Sequence, residues 1–262
     1  MNVLQFKKMK ETKTKISMIT CYDFTSAKIV ADSDIDCILV GDSSAMVMHG
    51  EESTVNSSVD QICAHIKAVK KAAPEKFIVG DMPFLSYRSD LKTNMENVLK
   101  VMQAGANAIK LEGASGNVNF IKHVVESGIP VMGHIGLTPQ FVNQFGGFKV
   151  QGKNEEGFQA ILNDAKALQI SGCFCVVIEC VPSPLASQIT NMLSIPTIGI
   201  GAGVDTDGQV LVMQDMLGMN NSFKPKFLRH YMNGYEMFLN AFNEFNRDVK
   251  NKSFPSIEES YE

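Results

Sequence analysis

The chain has 262 residues, 45% of them hydrophobic, with a net charge of −4 and an isoelectric point of about 5.8. That length allows one large core, since a barrel of alternating strands and helices needs roughly 250 residues. The acidic balance argues against a nucleic-acid partner, and no apolar run approaches the roughly 20 residues needed to cross a bilayer.

The start of the chain lacks the basic-then-apolar layout of a signal peptide, so a cytoplasmic protein is expected. The densest basic tract, KKMKETKTK over 7–15, reads as a short solvated leader. Eight short apolar runs then follow as strand candidates. They are ISMITC (16–21), CILVG (37–41), FIVGD (77–81), AIKLE (108–112), VMGHIG (131–136), CVVIEC (175–180), TIGIG (197–201) and QVLVMQD (209–215). Most gaps carry helical spacing: Ile62, Ile66 and Val69 in 60–73, and Met95, Val98, Leu99 and Met102 in 95–104. Helices end in AGAN, ESGIP and SGCF, where glycine suits the left-handed residue of a helix C-cap. This repeated helix, glycine, strand order is the mark of βα units, and eight strands predict a closed (βα)8 TIM barrel. An open doubly wound sheet is the alternative. The link from Ala202 to Gly208 is too short to hold much of a helix.

A long helix is expected after Lys224-Pro225-Lys226. Its aromatics, Phe227, Tyr231, Tyr235, Phe238, Phe242 and Phe245, fall three or four apart. Such a stripe either packs on the barrel wall or forms a subunit interface. The whole of 1–262 is therefore expected as one barrel domain with a C-terminal helical extension from about residue 225. The six cysteines, Cys21, Cys37, Cys63, Cys173, Cys175 and Cys180, form no CxxC pair and read as reduced core residues rather than zinc ligands.

Five of the apolar runs end on ionisable residues: Asp42; Asp81; Lys110 with Glu112; His134; and Glu179. Parallel strands of a barrel bring their C-terminal ends to one face, so these groups should converge there. Clustered carboxylates raise one another's pKa unless a cation intervenes, and oxygen donors suit Mg²⁺. Lys110 and Glu112 are two apart and share a strand face. Glu179 follows Val and Ile, a surrounding that suits a general base. His134 could orient substrate, shuttle a proton or sit behind the site as a support. GIGAG (199–203) is not a dinucleotide fingerprint, because Val204 stands where a third glycine would be. Its glycines could cradle a phosphate or let a ligand approach the backbone.

These residues lie in stretches that resemble the ketopantoate hydroxymethyltransferase family. The stretches are MITCYDFTSAKI, ILVGDSSAMVMHG, VGDMPFLSY, AGANAIKLEG, VMGHIGLTPQ with GGFKVQGK, VIECVP, IPTIGIGAG, DGQVLVMQDMLG and KPKFLRHY. The resemblance implies a barrel of the phosphoenolpyruvate/pyruvate-domain type and a homo-oligomer, usually a decamer of two five-membered rings. It also implies a Mg²⁺ site and 5,10-methylenetetrahydrofolate as co-substrate. The implied reaction is hydroxymethyl transfer to 3-methyl-2-oxobutanoate, giving 2-dehydropantoate for pantothenate biosynthesis. Metal binding would fall to Asp42, Asp81 and, through water, Glu112. Contacts to the 2-oxo acid would fall to Asp42, Ser43, Asp81 and Lys110, and Glu179 would accept the proton. Met46, Met48 and Phe84 are candidates to line the mouth of the site. Two departures stand out: MNNSF at 219–223, where the family often has Gly-His, and Glu259, where histidine is common. The rival readings are a Mg²⁺-dependent carbon–carbon lyase acting on a 2-oxo acid and a non-enzymatic oligomeric scaffold.

Overall fold

The computed structural model describes residues 1–261. The chain divides into two compact units, Met1–Val212 and the stretch from Met213 onward.

The first unit is a closed barrel of eight parallel strands in sequence order. They are β1 (Ile16–Thr20), β2 (Cys37–Val40), β3 (Phe77–Asp81), β4 (Ala108–Glu112), β5 (Val131–Gly136), β6 (Cys175–Glu179), β7 (Thr197–Ile200) and β8 (Gly208–Leu211). Around them run α1 (Val3–Glu11), α2 (Phe24–Ala31), the single turn α3 (Ser44–Val47), α4 (Val59–Ala72), α5 (Leu91–Ala104), α6 (Val118–Glu126), the short α7 (Val142–Phe145), α8 (Glu155–Ile170) and α9 (Ser183–Met192). The helix starts are written in the sequence. Ser58 and Gln61 form a reciprocal capping box on α4, and Asp90 accepts from the Thr93 amide on α5. The glycines foreseen as stops, Gly105, Gly128 and Gly172, all have positive φ. No helix joins β7 to β8.

Alternation along the strands sorts the barrel into layers. Phe77 and Val79, Ala108, Met132, and Cys175 and Val177 belong to the buried apolar cluster. Two residues further on, the same inward face carries Asp81, Lys110 then Glu112, His134 and Glu179. The apolar core is thus the floor on which the polar layer stands.

The bottom of that floor is closed by α1, so the basic tract is not a solvated leader. Phe6 is fully buried and lies edge-on to Phe77 at 5.2 Å and Phe174 at 5.1 Å. Lys10 pairs with Asp207 at 2.7 Å and donates to the Thr190 carbonyl. Lys7 and Lys8 face solvent, while Lys10 shares the packed face with Phe6, four residues before it.

Two boundaries differ from expectation. β8 ends at Leu211, and Met213–Met216 forms the single turn α10. β1 offers no partner beyond Ile19↔Leu211, and the Leu217 amide bonds the Met213 carbonyl instead. The last helix, α11, spans Gly234–Asn251, so Phe227 and Tyr231 precede it. The amides of Tyr231, Gly234 and Tyr235 are spent on the carbonyls of Met216, Leu217 and Gly218, which pre-empts helical bonding upstream. Along α11, Tyr235, Phe238, Phe242 and Phe245 are exposed. Among the described residues, no helix is long and apolar enough to cross a membrane.

Phe6→Ala should cost about 3–5 kcal/mol in urea unfolding, as expected for removing a fully buried ring. A loss under about 1 kcal/mol, far below that range, would show that α1 does not close the barrel.

Candidate active site

Strand register sets the site. Asp81 is level with Lys110 across β3 and β4, and Glu112 is level with His134 across β4 and β5. Gly136 is level with Glu179 across β5 and β6. Gly136 has φ +88°, and a Cβ there would fall 2.2 Å from the Glu179 carbonyl oxygen. Glycine is what lets β5 bend against β6 and leaves that carbonyl free to accept from the Leu137 amide at 2.8 Å. Asp42 lies just beyond β2, at the mouth of a turn that leads into α3.

The result is one connected layer. Lys110 Nζ is 2.7 Å from Asp81 Oδ1. His134 spans two acids, with Nδ1 3.3 Å from Glu112 Oε1 and Nε2 3.2 Å from Glu179 Oε2. Asp42 donates its amide to Asp81 Oδ2 at 3.0 Å. Asp42, Asp81, Lys110, Glu112 and His134 are all buried, whereas the Glu179 side chain is 17% exposed. Glu179 is therefore the carboxylate that faces outward. Its surroundings are less apolar than its strand suggested, because His134 stands beside it.

The electrostatics follow from this crowding. Burial raises the Asp42 carboxyl well above the usual range, and the charges of Asp81 and Glu112 add to it. Burial also raises Asp81, with Lys110 opposing. For Lys110, burial works against the charge, but Asp81, Glu112 and Asp42 together outweigh it and the ammonium is held. Burial and Lys110 both disfavour charge on His134, yet its bonds to Glu112 and Glu179 prevail and raise it to about 9. The charged imidazole is thereby favoured, with its Nδ1 also 3.5 Å from Lys110 Nζ.

All the residues singled out in sequence lie in or beside this layer. Ser43 accepts or donates a 2.8 Å hydrogen bond with Tyr22, whose phenol is held protonated, mainly by burial. Met46 and Phe84 are half-buried and Met48 is exposed, all in the segments that follow β2 and β3. Three features were not foreseen. Tyr22 lies beside Ser43. Gln140 and Tyr87 lie under the acids: Gln140 bonds Asp42 and Glu112, and Tyr87 bonds Gln140 at 2.7 Å. The only hint of them was their place inside the stretches MITCYDFTSAKI, VGDMPFLSY and VMGHIGLTPQ.

Within GIGAG, a Cβ on Gly199 would lie 2.6 Å from Thr206 Oγ1 and one on Gly203 2.5 Å from Ser183 Cβ, so both glycines serve close packing. The cysteines are buried or half-buried and unpaired. Burial, the main cause, pushes Cys180 up to about 12, the wrong direction for a nucleophile. Two surface cavities, of about 470 and 490 Å³, are lined by none of the strand-end acids and bases, though Tyr87 borders the first.

For a metal, the donors are hard carboxylate oxygens. Among the described residues, no group of three or more His, Cys, Asp or Glu is placed to hold an ion by itself. The oxygens of Glu112 face His134 and the Gln140 amide, and those of Asp81 face Lys110 and the Asp42 amide. Asp42 and Asp81 nevertheless adjoin as a pair at the strand ends. Mg²⁺ asks for no more, because it usually binds one or two carboxylates and completes its shell with water and substrate. The residues present fit such an ion.

Comparison with known proteins agrees with the architecture. The family model described as ketopantoate hydroxymethyltransferase matches residues 1–257. The chain belongs to the ketopantoate hydroxymethyltransferase family. Members are hydroxymethyltransferases, and the chain is accordingly an enzyme of that class. It is 58% identical over 259 residues to a 3-methyl-2-oxobutanoate hydroxymethyltransferase of Bdellovibrio bacteriovorus, covering 99% of this chain and 98% of the relative. It is 57% identical over 259 residues to one from Coxiella burnetii, covering 98% and 97%. Among solved structures, a phosphonopyruvate hydrolase in complex with oxalate and Mg²⁺ aligns over 99% of this chain and 93% of its own, with TM-score 0.65 and 11% identity. A 2,3-dimethylmalate lyase of the PEP mutase/isocitrate lyase superfamily aligns over 99% and 91%, with TM-score 0.62 and 12% identity. These structural likenesses establish a shared barrel fold.

The His134 pair makes a pH prediction. Its folded pKa, about 9, lies above the ordinary value of 6.5. The stability it contributes is complete below 6.5 and is lost as pH rises through 9. In chelator, the wild type should therefore be more stable than His134→Gln at the acid end, with the gap closing towards pH 9. Thermal melts across that window check it, and a constant gap would contradict the charged assignment.

Proposed function

We propose that the chain transfers a hydroxymethyl group from 5,10-methylenetetrahydrofolate to 3-methyl-2-oxobutanoate, giving 2-dehydropantoate for pantothenate biosynthesis. The observation that carries this reading is the strand-end layer itself. A partly buried carboxylate, Glu179, stands beside buried acids, and an anionic substrate would add to their negative charge. Four carboxylates, Asp42, Asp81, Glu112 and Glu179, meet two cations, Lys110 and His134. A purely structural ion-pair plug would match its charges.

Asp42 and Asp81 would hold Mg²⁺, with Glu112 acting through water. When bound, Mg²⁺ supplies Lewis-acid polarisation of the keto and carboxylate oxygens of the 2-oxo acid. Ser43 and Lys110, with both aspartates, bind the 2-oxo acid, and the lysine offsets its negative charge. Glu179 takes the C3 proton as general base, which leaves an enolate to attack the methylene carbon of the folate; water then supplies the hydroxyl as the carbon–nitrogen bond breaks and tetrahydrofolate leaves. His134, fixed between Glu112 and Glu179, holds the base in place. Met46, Met48 and Phe84 offer apolar surface to the folate. The whole chain, with the helical extension from about residue 225, works as one cytoplasmic domain that assembles as a homodecamer.

The direct test is folate-dependent hydroxymethyl transfer to 3-methyl-2-oxobutanoate, with and without chelator. Glu179→Gln should lower kcat by about 10²-fold or more while substrate and metal still bind. Deuterium exchange at C3 isolates the proton step from the folate step. Undiminished exchange in the variant would remove Glu179 as the base.

The exposed aromatics of α11 motivate the assembly. Light scattering at micromolar concentration should give a mass well above one 28.7 kDa chain, and a stable monomer would reject the decamer.

A further inference from the structure

Gln140 makes more contacts to the candidate site than any role in the loop after β5 requires. It lies in the one-turn helix Pro139–Phe141 and is 2% exposed. Its backbone amide donates to Glu112 Oε2 at 3.0 Å. Its side-chain nitrogen donates to Asp42 Oδ2 at 2.8 Å and to the Met82 carbonyl at 3.0 Å. Its side-chain oxygen accepts from the Tyr87 hydroxyl at 2.7 Å. One residue therefore ties together the segments that follow β2, β3 and β4. The orientation of the amide is fixed by chemistry. The Met82 carbonyl can only accept, so the nitrogen must face it, and the oxygen is left for the tyrosine.

Tyr87 is itself locked. It is 2% exposed, and its hydroxyl oxygen lies 3.3 Å from the Glu112 amide. The chain of contacts runs from Tyr87 through Gln140 to Asp42. The donors it presents to the acids are uncharged. Lysine or arginine at the same place could satisfy Asp42 as well, but would add a positive charge beside a cation site. A neutral amide orients the carboxylate and leaves its charge for a ligand.

We propose that Gln140, oriented by Tyr87, is a positioning residue that holds Asp42 and Glu112 in the geometry that receives the divalent cation. The inference rests on the Mg²⁺ reading of Asp42 and Asp81. In this role Gln140 acts through the carboxylates it bonds, Asp42 and Glu112. Outer partners of metal-binding carboxylates typically contribute 10–100-fold in metal affinity or activity, and that is the size expected here.

The experiment is calorimetric titration of Mg²⁺ into the resting, substrate-free protein. Gln140→Met keeps the volume and removes both side-chain donors. It should weaken Mg²⁺ binding by about 10–100-fold. The apparent Mg²⁺ requirement of catalysis should rise in parallel, with kcat at saturating Mg²⁺ falling much less. Tyr87→Phe removes only the hydroxyl beneath and should shift affinity in the same direction by a smaller factor. The double variant should lose less than the product of the two single losses, since both act through one contact chain. Circular dichroism confirms folding, and Tyr87→Phe carries the test if Gln140→Met does not fold. Wild-type affinity in folded Gln140→Met, or in Tyr87→Phe when that variant stands alone, overturns the positioning role. A loss of kcat at unchanged Mg²⁺ affinity overturns it too. A wild-type protein that binds no Mg²⁺ at all would instead remove the metal reading itself, and this role with it.

Discussion

Charge crowding at the strand ends is the constraint around which this barrel is organised. Two like charges about 4 Å apart cost about 4 kcal/mol at an effective dielectric of 20. A whole domain is stable by only about 5–15 kcal/mol. Several buried carboxylates in one layer could therefore unfold the protein if left to repel. The register answers this by setting a base level with each acid: Lys110 across from Asp81, and His134 across from Glu112. The compensation is incomplete, and the shortfall is where the chemistry is proposed to lie. Burial, with the charges of Asp81 and Glu112, raises the proton affinity of Asp42, and the Gln140 amide that bonds it offsets only part of this.

The two ends of the barrel divide the labour. Below, Phe6, Phe77 and Phe174 form an aromatic floor that asks only for volume and shape. Above, the same strands, carried forward by two residues, deliver acids and bases. One alternation serves both ends, so the inward face can change character from oil to charge within a single strand. That economy explains how strands of four to six residues suffice.

The fold was legible because its signals are local. Short apolar runs, capped helices and glycine stops each act within a few residues, and together they specify βα units. The ionisable residues at the strand ends were legible for the same reason, since period and position alone place Asp81, Lys110, Glu112, His134 and Glu179 inward. What stayed hidden depends on partners far away in the chain. Gln140 reaches Asp42 across 98 positions, and nothing in its own surroundings announces that. The basic tract hid α1 because lysines dominate its composition, while the one buried ring, Phe6, meets Phe174 only in three dimensions. The start of α11 was misplaced because aromatic spacing continues upstream, where long-range bonds from Tyr231, Gly234 and Tyr235 have claimed the amides.

The way α1 closes the floor also bears on how the molecule is made. Phe6 precedes all eight strands, but its ring contacts come from β3 and from Phe174, just before β6. Lys10 waits longer still, for Asp207, and β1 for β8. Contacts of such separation must overcome the entropy of closing a long loop before they repay it, which places them late in assembly. α1 therefore stays without its seat until these later segments are made. Its lysines keep that amphipathic segment soluble until the last strand arrives and the barrel can shut on it.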